Sequence, residues 1–115
     1  VNNKLIRLAE LVQEDFPGNL LTAFKSAPNT TRAQRLELAG QAIASHQKRA
    51  EDLWLKAGRK RSPRERQASA RAELAAFLFA CLSGDALEYA DSAREALRAL
   101  GRQGETGLVN SLCRK

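Results

Sequence analysis

Three observations predict an all-α protein, a compact bundle of five to six helices. Alanine and leucine dominate the composition, while aromatics make up 5% and prolines number three, a mix whose side chains lose little freedom in a helix. Apolar residues return every three or four positions in several separate stretches. No stretch alternates apolar and polar residues in the strand pattern. At 115 residues the chain fits one domain, spanning 1–115.

The first helix is expected over 3–15, with Leu5, Leu8, Ala9 and Val12 on one face and Ile6 and Leu11 widening it. Phe16-Pro17-Gly18-Asn19 breaks it, because Pro and Gly together mark a turn. A short helix follows from Leu20 to Ser26, closed by Pro28-Asn29. Thr31 with Gln34 three residues later reads as a capping box. It opens a long helix whose seam is Leu36, Ala39, Ile43, His46, Ala50, Leu53 and Ala57. Trp54 lies beside that seam and is expected to anchor it. Gly40 either sits inside this helix at a cost of about 1 kcal/mol relative to Ala, or divides it in two.

Gly58 ends the long helix, and residues 58–66 form a basic connection to the next. Ser62-Pro63-Arg64-Glu65 places Ser at the N-cap, Pro at the first helical position and Glu three residues after the cap. The fourth helix is expected to run to about Ser83. Its second half, from Leu74 to Leu82, is apolar on every side, as a helix surrounded by others should be. Gly84 stops it, and Asp85 with Glu88 is expected to cap a fifth helix. The seam of that helix is Leu87, Ala90, Ala93, Leu97 and Leu100, and Gly101 ends it. After the loop of residues 101–107, Leu108, Val109 and Leu112 suggest a last short helix.

Hydrophobic residues account for 43% and charged ones for 28%, too apolar for a disordered chain. No window holds the roughly 18–20 uninterrupted apolar residues of a membrane span, and the opening residues lack a signal-peptide pattern. Cys81 and Cys113 are too sparse for a disulfide scaffold, which predicts a reducing, cytoplasmic setting.

Two segments echo each other. Gly40-Gln41-Ala42-Ile43 through Gly58 and Gly84-Asp85-Ala86-Leu87 through Gly101 both open Gly-x-Ala-aliphatic and close on Gly. Such echoes accompany stacked helical hairpins. Residues 86–110, through Leu100-Gly101, Gly104-Glu105 and Leu108-x-Asn110, resemble tetratricopeptide-type repeats over less than a quarter of the chain. The resemblance implies a non-catalytic scaffold that docks a peptide or partner helix.

No constellation for catalysis, metal or cofactor emerges. His46, the single histidine, has its nearest following carboxylates at Glu51 and Asp52, which do not face it on a helix, so it reads as a polar break in a seam. Cys81 lies among Phe, Leu and Ala and reads as a buried small hydrophobe. Glu14-Asp15 and Glu51-Asp52 are adjacent pairs, which a helix sends in different directions. The glycines at 101, 104 and 107 follow no strand and precede no Gly-Lys-Ser/Thr, so they form no phosphate loop.

The charge distribution is more informative. Lys plus Arg is 19 and Asp plus Glu is 13, a net +6 with a pI near 9.9. Between Lys48 and Arg66 eight basic residues face three acidic ones, so most of the excess lies there. Arg64 and Arg66 also occupy the first turn of a helix, whose dipole favours anions by about 0.3–1 kcal/mol each. Flanking cations and free backbone N–H groups make such a helix start a ready phosphate site. The expected function is therefore a non-catalytic module binding the nucleic-acid backbone through segment 48–71, as an accessory subunit of a nucleoprotein assembly. Arg59, Lys60, Arg61, Arg64, Arg66 and Arg71 are the expected phosphate contacts. The alternative is a protein-interaction module that docks a partner through Trp54, Tyr89, Leu97 and Leu100. Oligomerisation is compatible with either.

Overall fold

A computed structural model describes residues 3–26 and 29–113. They form six α-helices: α1 (Asn3–Gln13), α2 (Leu20–Lys25), α3 (Arg32–Lys56), α4 (Pro63–Ser83), α5 (Ala90–Ala99) and α6 (Thr106–Cys113). Two short 3-10 turns, Ala86–Tyr89 and Gln103–Glu105, precede α5 and α6. No strand occurs among the described residues. The all-α bundle expected from the sequence is what the chain adopts.

The frame is the antiparallel α3–α4 hairpin. At 25 residues, α3 extends about 37 Å at 1.5 Å per residue, which accounts for most of the 45 Å long axis of the molecule. Both helices start as their cap signals require. The Thr31 hydroxyl accepts from the Gln34 N–H and the Gln34 side chain accepts from the Thr31 N–H, a complete capping box. The Ser62 hydroxyl accepts from the Glu65 N–H at 3.2 Å, with Pro63 leading the helix. The hairpin buries small residues, Ala39, Ala42 and Ala50 from α3 and Ala68, Ala72 and Ala75 from α4, which let two helix backbones approach closely. At the open end, Arg32 donates through Nε to the Leu82 carbonyl at 2.8 Å, satisfying an acceptor that α4 leaves free at its C-terminus.

Helix α4 is the central element. It packs on α3, α5, α1 and the 3-10 turn before α5, which accounts for most of its apolar surface, although Phe79 stands 37% exposed where a fully surrounded helix was expected. Its side chains Leu74, Phe77 and Leu78 meet Leu8 and Val12 of α1, Leu20 and Phe24 of α2, and Leu97 of α5 in one core. Gly40 does not interrupt α3: the helix runs through it, and a Cβ there would meet only the Phe79 ring at 3.9 Å. Gly84, its counterpart in the sequence echo, ends α4 in the left-handed region at φ +92°. The two echoing segments therefore start in opposite roles, one inside a helix and one at its stop.

Several expectations are corrected. Helix α1 ends at Gln13 instead of residue 15, because the Gln13 side chain holds the turn that follows. Its amide donates to the carbonyls of Phe16 at 2.9 Å and Gly18 at 2.7 Å, and its oxygen accepts from the Leu21 N–H. A side chain at Gly18 would force the Phe16 ring to move, since a Cβ there would sit 2.6 Å from it. Helix α5 starts at Ala90, five residues after the expected cap. The Asp85 N–H is drawn back to the Ala80 carbonyl in the α4 stop, its side chain makes no cap bond, and residues 86–89 wind as a 3-10 turn. Leu87 consequently leaves the seam and stands 76% exposed. Trp54 is half-exposed and does not anchor the hairpin from within. The α2 stop proposed at Pro28-Asn29 lies partly outside the described residues, at Pro28. Gly101 closes α5 as expected, with φ +73° and the Arg102 N–H returning to the Leu97 carbonyl at 2.7 Å.

Candidate functional site

The α3–α4 hairpin carries two kinds of polar environment, one at its middle and one at its tip. At the middle, His46 is fully buried on α3. Its Nε2 lies 2.8 Å from the Val12 carbonyl. A carbonyl can only accept, so Nε2 carries a hydrogen, and Nδ1 has no partner among the described residues. The Phe16 ring packs tilted against it, 6.3 Å between centroids. Burial lowers the His46 pKa below 6.5, opposed by the Val12 bond and modified by Arg71, Asp15 and Arg49. His46 is thus a neutral fastener between α3 and the end of α1, consistent with a polar break in the seam.

Beside it lies Arg71, buried on α4. Its guanidinium meets Glu14 at 3.2 Å and Asp15 at 3.4 Å, and Asp15 also reaches Arg49 at 3.8 Å. This corrects two readings. Glu14 and Asp15 do not diverge as on a helix: they belong to the turn after α1, where Asp15 has φ +64°, and both converge on one cation. Arg71, expected beside Arg64 as a phosphate contact, is already committed to carboxylates. Helix α1 and its turn cover the hairpin at this level, and the sequence gives no period that would reveal it.

Seven residues nearer the tip the surroundings change. The connection turns through Gly58 at φ +69° and Arg59 at φ +63°, fixed by backbone bonds from Gly58 to the Leu55 carbonyl and from Arg59 to the Trp54 carbonyl. A left-handed arginine costs about 1 kcal/mol relative to glycine. Arg59 thus joins Arg64 and Arg66 as a cation placed against the preference of its backbone position. Arg59, Lys60, Arg61, Arg64 and Arg66 are all exposed, and none forms an ion pair among the described residues.

Three of these tip cations line two furrows, Arg64 in one and Arg61 with Arg66 in the other. One, of about 340 Å³, brings Lys48, Arg49 and Lys56 of α3 together with Arg64 of α4, with Asp15 and Asp52 at its edges. Cations outnumber carboxylates there, and both Asp15 neighbours, Arg49 and Arg71, already draw on that carboxylate. Lys48 and Lys56 were counted in the basic segment but not singled out as contacts. The i, i+8 spacing of 48 and 56 on the 49/52/53 side of α3 is the signal that would have found them. The other furrow runs between α4 and α5, lined by Arg61 and Arg66 together with Glu73, Asp91 and Glu95.

Glu65 is the exception within the basic segment. It is buried near the start of α4, with Oε1 accepting from the Ser69 hydroxyl at 3.2 Å and Oε2 without a partner. As the third residue of α4 it lies in the positive end of the helix dipole, which offsets the burial of a charge.

Of the proposed partner contacts, Leu97 is fully buried in the α4–α5 core and Leu100 is half-buried against it. The narrow seam on α5 is satisfied inside the molecule and offers Leu97 to no partner. Trp54 and Tyr89 remain accessible. Cys81 is half-buried, and burial first, with nearby Cys113 second, pushes its thiol up to about 12, so it keeps its proton at neutral pH. Among the described residues no three His, Cys, Asp or Glu side chains gather as a metal site, and no helix is long and apolar enough to cross a membrane. Against known proteins, the chain matches no family model, no curated protein and no solved structure.

Proposed function

We propose that this protein is a non-catalytic module that binds the phosphate backbone of nucleic acid with the tip of its α3–α4 hairpin. The observation that carries this reading is the convergence of Lys48, Arg49, Lys56 and Arg64 on one furrow, with Arg59 and Lys60 unpaired on the turn beside it. Unpaired surface cations release condensed counterions when they meet phosphates, which makes binding sequence-tolerant and strongly dependent on salt. The positive end of the α4 dipole lies at the same place, where Pro63 has no N–H and those of Glu65 and Arg66 already bond to Ser62. Arg61 and Arg66 flank the site from the other furrow, and Arg71 contributes rigidity instead of contact. An accessory role inside a cytoplasmic nucleoprotein assembly fits the small size and net positive charge of the sequence.

Fluorescence anisotropy with labelled single-stranded RNA, single-stranded DNA and duplex DNA over a salt series tests this. If four to six phosphates are engaged, affinity falls by about 10²–10³ between 50 and 200 mM salt. The Lys56→Glu, Arg59→Glu, Arg64→Glu variant is expected to lose binding at moderate salt while keeping its helical circular dichroism. Absence of binding by the wild type at low salt, or binding that survives the charge reversals, contradicts the reading.

A further inference from the structure

The hairpin tip has a second flank, and that flank carries an aromatic. On α3, Lys48, Asp52 and Lys56 face the furrow that holds Arg64. Gln47 faces the other side of the hairpin, against Ser69, Ala72 and Glu73 of α4. Trp54 follows Gln47 by two helical turns, so it lies on that second side and nearer the tip. Helix α4 runs back antiparallel, and two turns from Ser69 and Glu73 toward the tip lie Ser62 and Arg66. Arg61 and Arg66 belong to this flank, since they line the furrow that also holds Ser69 and Glu73. The Trp54 carbonyl accepts the Arg59 N–H at 2.9 Å, which ties the turn to the aromatic position. Trp54 at 36% and Leu55 at 52% exposure leave apolar surface in water at the base of that turn.

The charges around Trp54 are of both signs but unevenly placed. Toward the turn, Arg59, Lys60, Arg61 and Arg66 are exposed and form no ion pair among the described residues. Away from it, Glu51 stands one turn behind Trp54 on α3 and Glu73 two turns behind Arg66 on α4, both exposed and likewise without an ion pair. Asp52 faces the first furrow, and Glu65 is buried. The two exposed carboxylates bar a phosphate chain from following this flank down the hairpin. They leave the turn itself as the place where phosphates can lie, with the indole directly behind it.

A flat aromatic beside a cluster of unpaired cations is complementary to a strand whose bases are not paired. The cations take the phosphates and the ring takes the face of a base, whatever that base is. A duplex keeps its base faces inside the stack and can offer this surface only phosphates and groove edges. An acidic peptide would satisfy the cations and leave the indole without a flat partner. On the nucleic-acid reading above, we propose that the ligand is single-stranded and that Trp54 stacks on one of its bases, with Arg59, Lys60, Arg61 and Arg66 on the neighbouring phosphates. The strand crosses the tip from the Arg64 furrow to the Trp54 flank and does not run along the hairpin.

Trp54 is the single tryptophan of the chain, so its fluorescence reports this position alone. The full chain is titrated with oligo-dT, oligo-U, a DNA duplex of equal phosphate count and a poly-glutamate peptide. Both single strands are expected to quench the Trp54 emission, whereas the duplex and the peptide leave it unchanged. Charge alone favours the duplex, which releases about 0.9 counterions per contact against about 0.7 for a single strand. Tighter binding of the single strands at about 200 mM salt therefore reports stacking. Trp54→Ala should weaken single-strand binding by about tenfold and duplex binding by less than about twofold. Trp54→Phe should retain most of the affinity, and circular dichroism verifies that both variants are folded. Equal binding of single strand and duplex with unchanged emission, or quenching by the peptide to the same extent, overturns the stacking and leaves the backbone reading intact. No binding of any nucleic acid at low salt overturns both.

Discussion

Arg71 and Arg64 are the same residue type on the same helix, two turns apart, and they have opposite fates. Arg71 lies where the turn after α1 crosses the hairpin and supplies Glu14 and Asp15. Arg64 shares a furrow with Asp15 of that turn and with three other cations, but it forms no ion pair among the described residues and stays exposed. The comparison teaches that a basic residue is available to a ligand only where the rest of the fold fails to cover it. Formal charge counts both arginines equally, whereas the packing of an eleven-residue helix decides between them.

Truncation should separate the two most sharply. Arg71→Ala removes a buried aliphatic stem and the cation that Glu14 and Asp15 share, leaving Asp15 with Arg49 alone, and is expected to cost about 1–2 kcal/mol in urea unfolding. Arg64→Ala should stay within about 0.5 kcal/mol while weakening nucleic-acid binding. Equal stability losses would erase the distinction between middle and tip.

A pH titration sharpens the same contrast. The folded-state pKa of His46 lies below 6.5, so on acidification the unfolded chain takes up this proton first. Stability from His46 is complete above pH 6.5 and is lost as pH falls below it, by at most about 1.4 kcal/mol per pH unit. Unfolding measured at pH 7.5 and 5.5, beside His46→Gln, isolates this contribution from the carboxylates. The tip lacks such a group, and its charge reversal variant should show the same pH dependence as the wild type in this window.

Smaller effects test the backbone. Gly40→Ala should raise stability by about 0.5–1 kcal/mol, because the helix is continuous there and the added methyl meets the Phe79 ring at ordinary contact distance. Arg59→Gly should raise stability by about 0.5 kcal/mol through relief of the left-handed φ and at the same time weaken binding to phosphates. Opposite signs in those two measurements are what a residue kept for its charge would give.

Much of the fold was legible in the sequence because its punctuation is local. Thr31 with Gln34, Ser62 with Pro63, Gly84 and Gly101 each act within one turn of their own position, and each works as its pattern suggests. The failures arise where one element acts on another. Asp85 looked like a cap until the α4 stop claimed its N–H, and Gln13 carries no signal of the three bonds it makes across the following turn. The candidate site divides the same way. The basic tip was readable from charge alone, but the withdrawal of Arg71 required knowing where Glu14 and Asp15 would land. The burial of Leu97 likewise follows from the docking of α5 on α4, which a narrow apolar stripe announces without naming its partner.

The single bond from His46 to the Val12 carbonyl also bears on the order in which the molecule assembles. Helices α3 and α4 are adjacent in sequence, capped from within and joined by a short turn, so their pairing needs little loop closure and should come early. Helix α1 can recognise that hairpin only after His46 and Arg71 have been brought side by side. Its amides are therefore expected to be the last to gain protection from hydrogen exchange during refolding, and its docking is the step that a proton on His46 would slow.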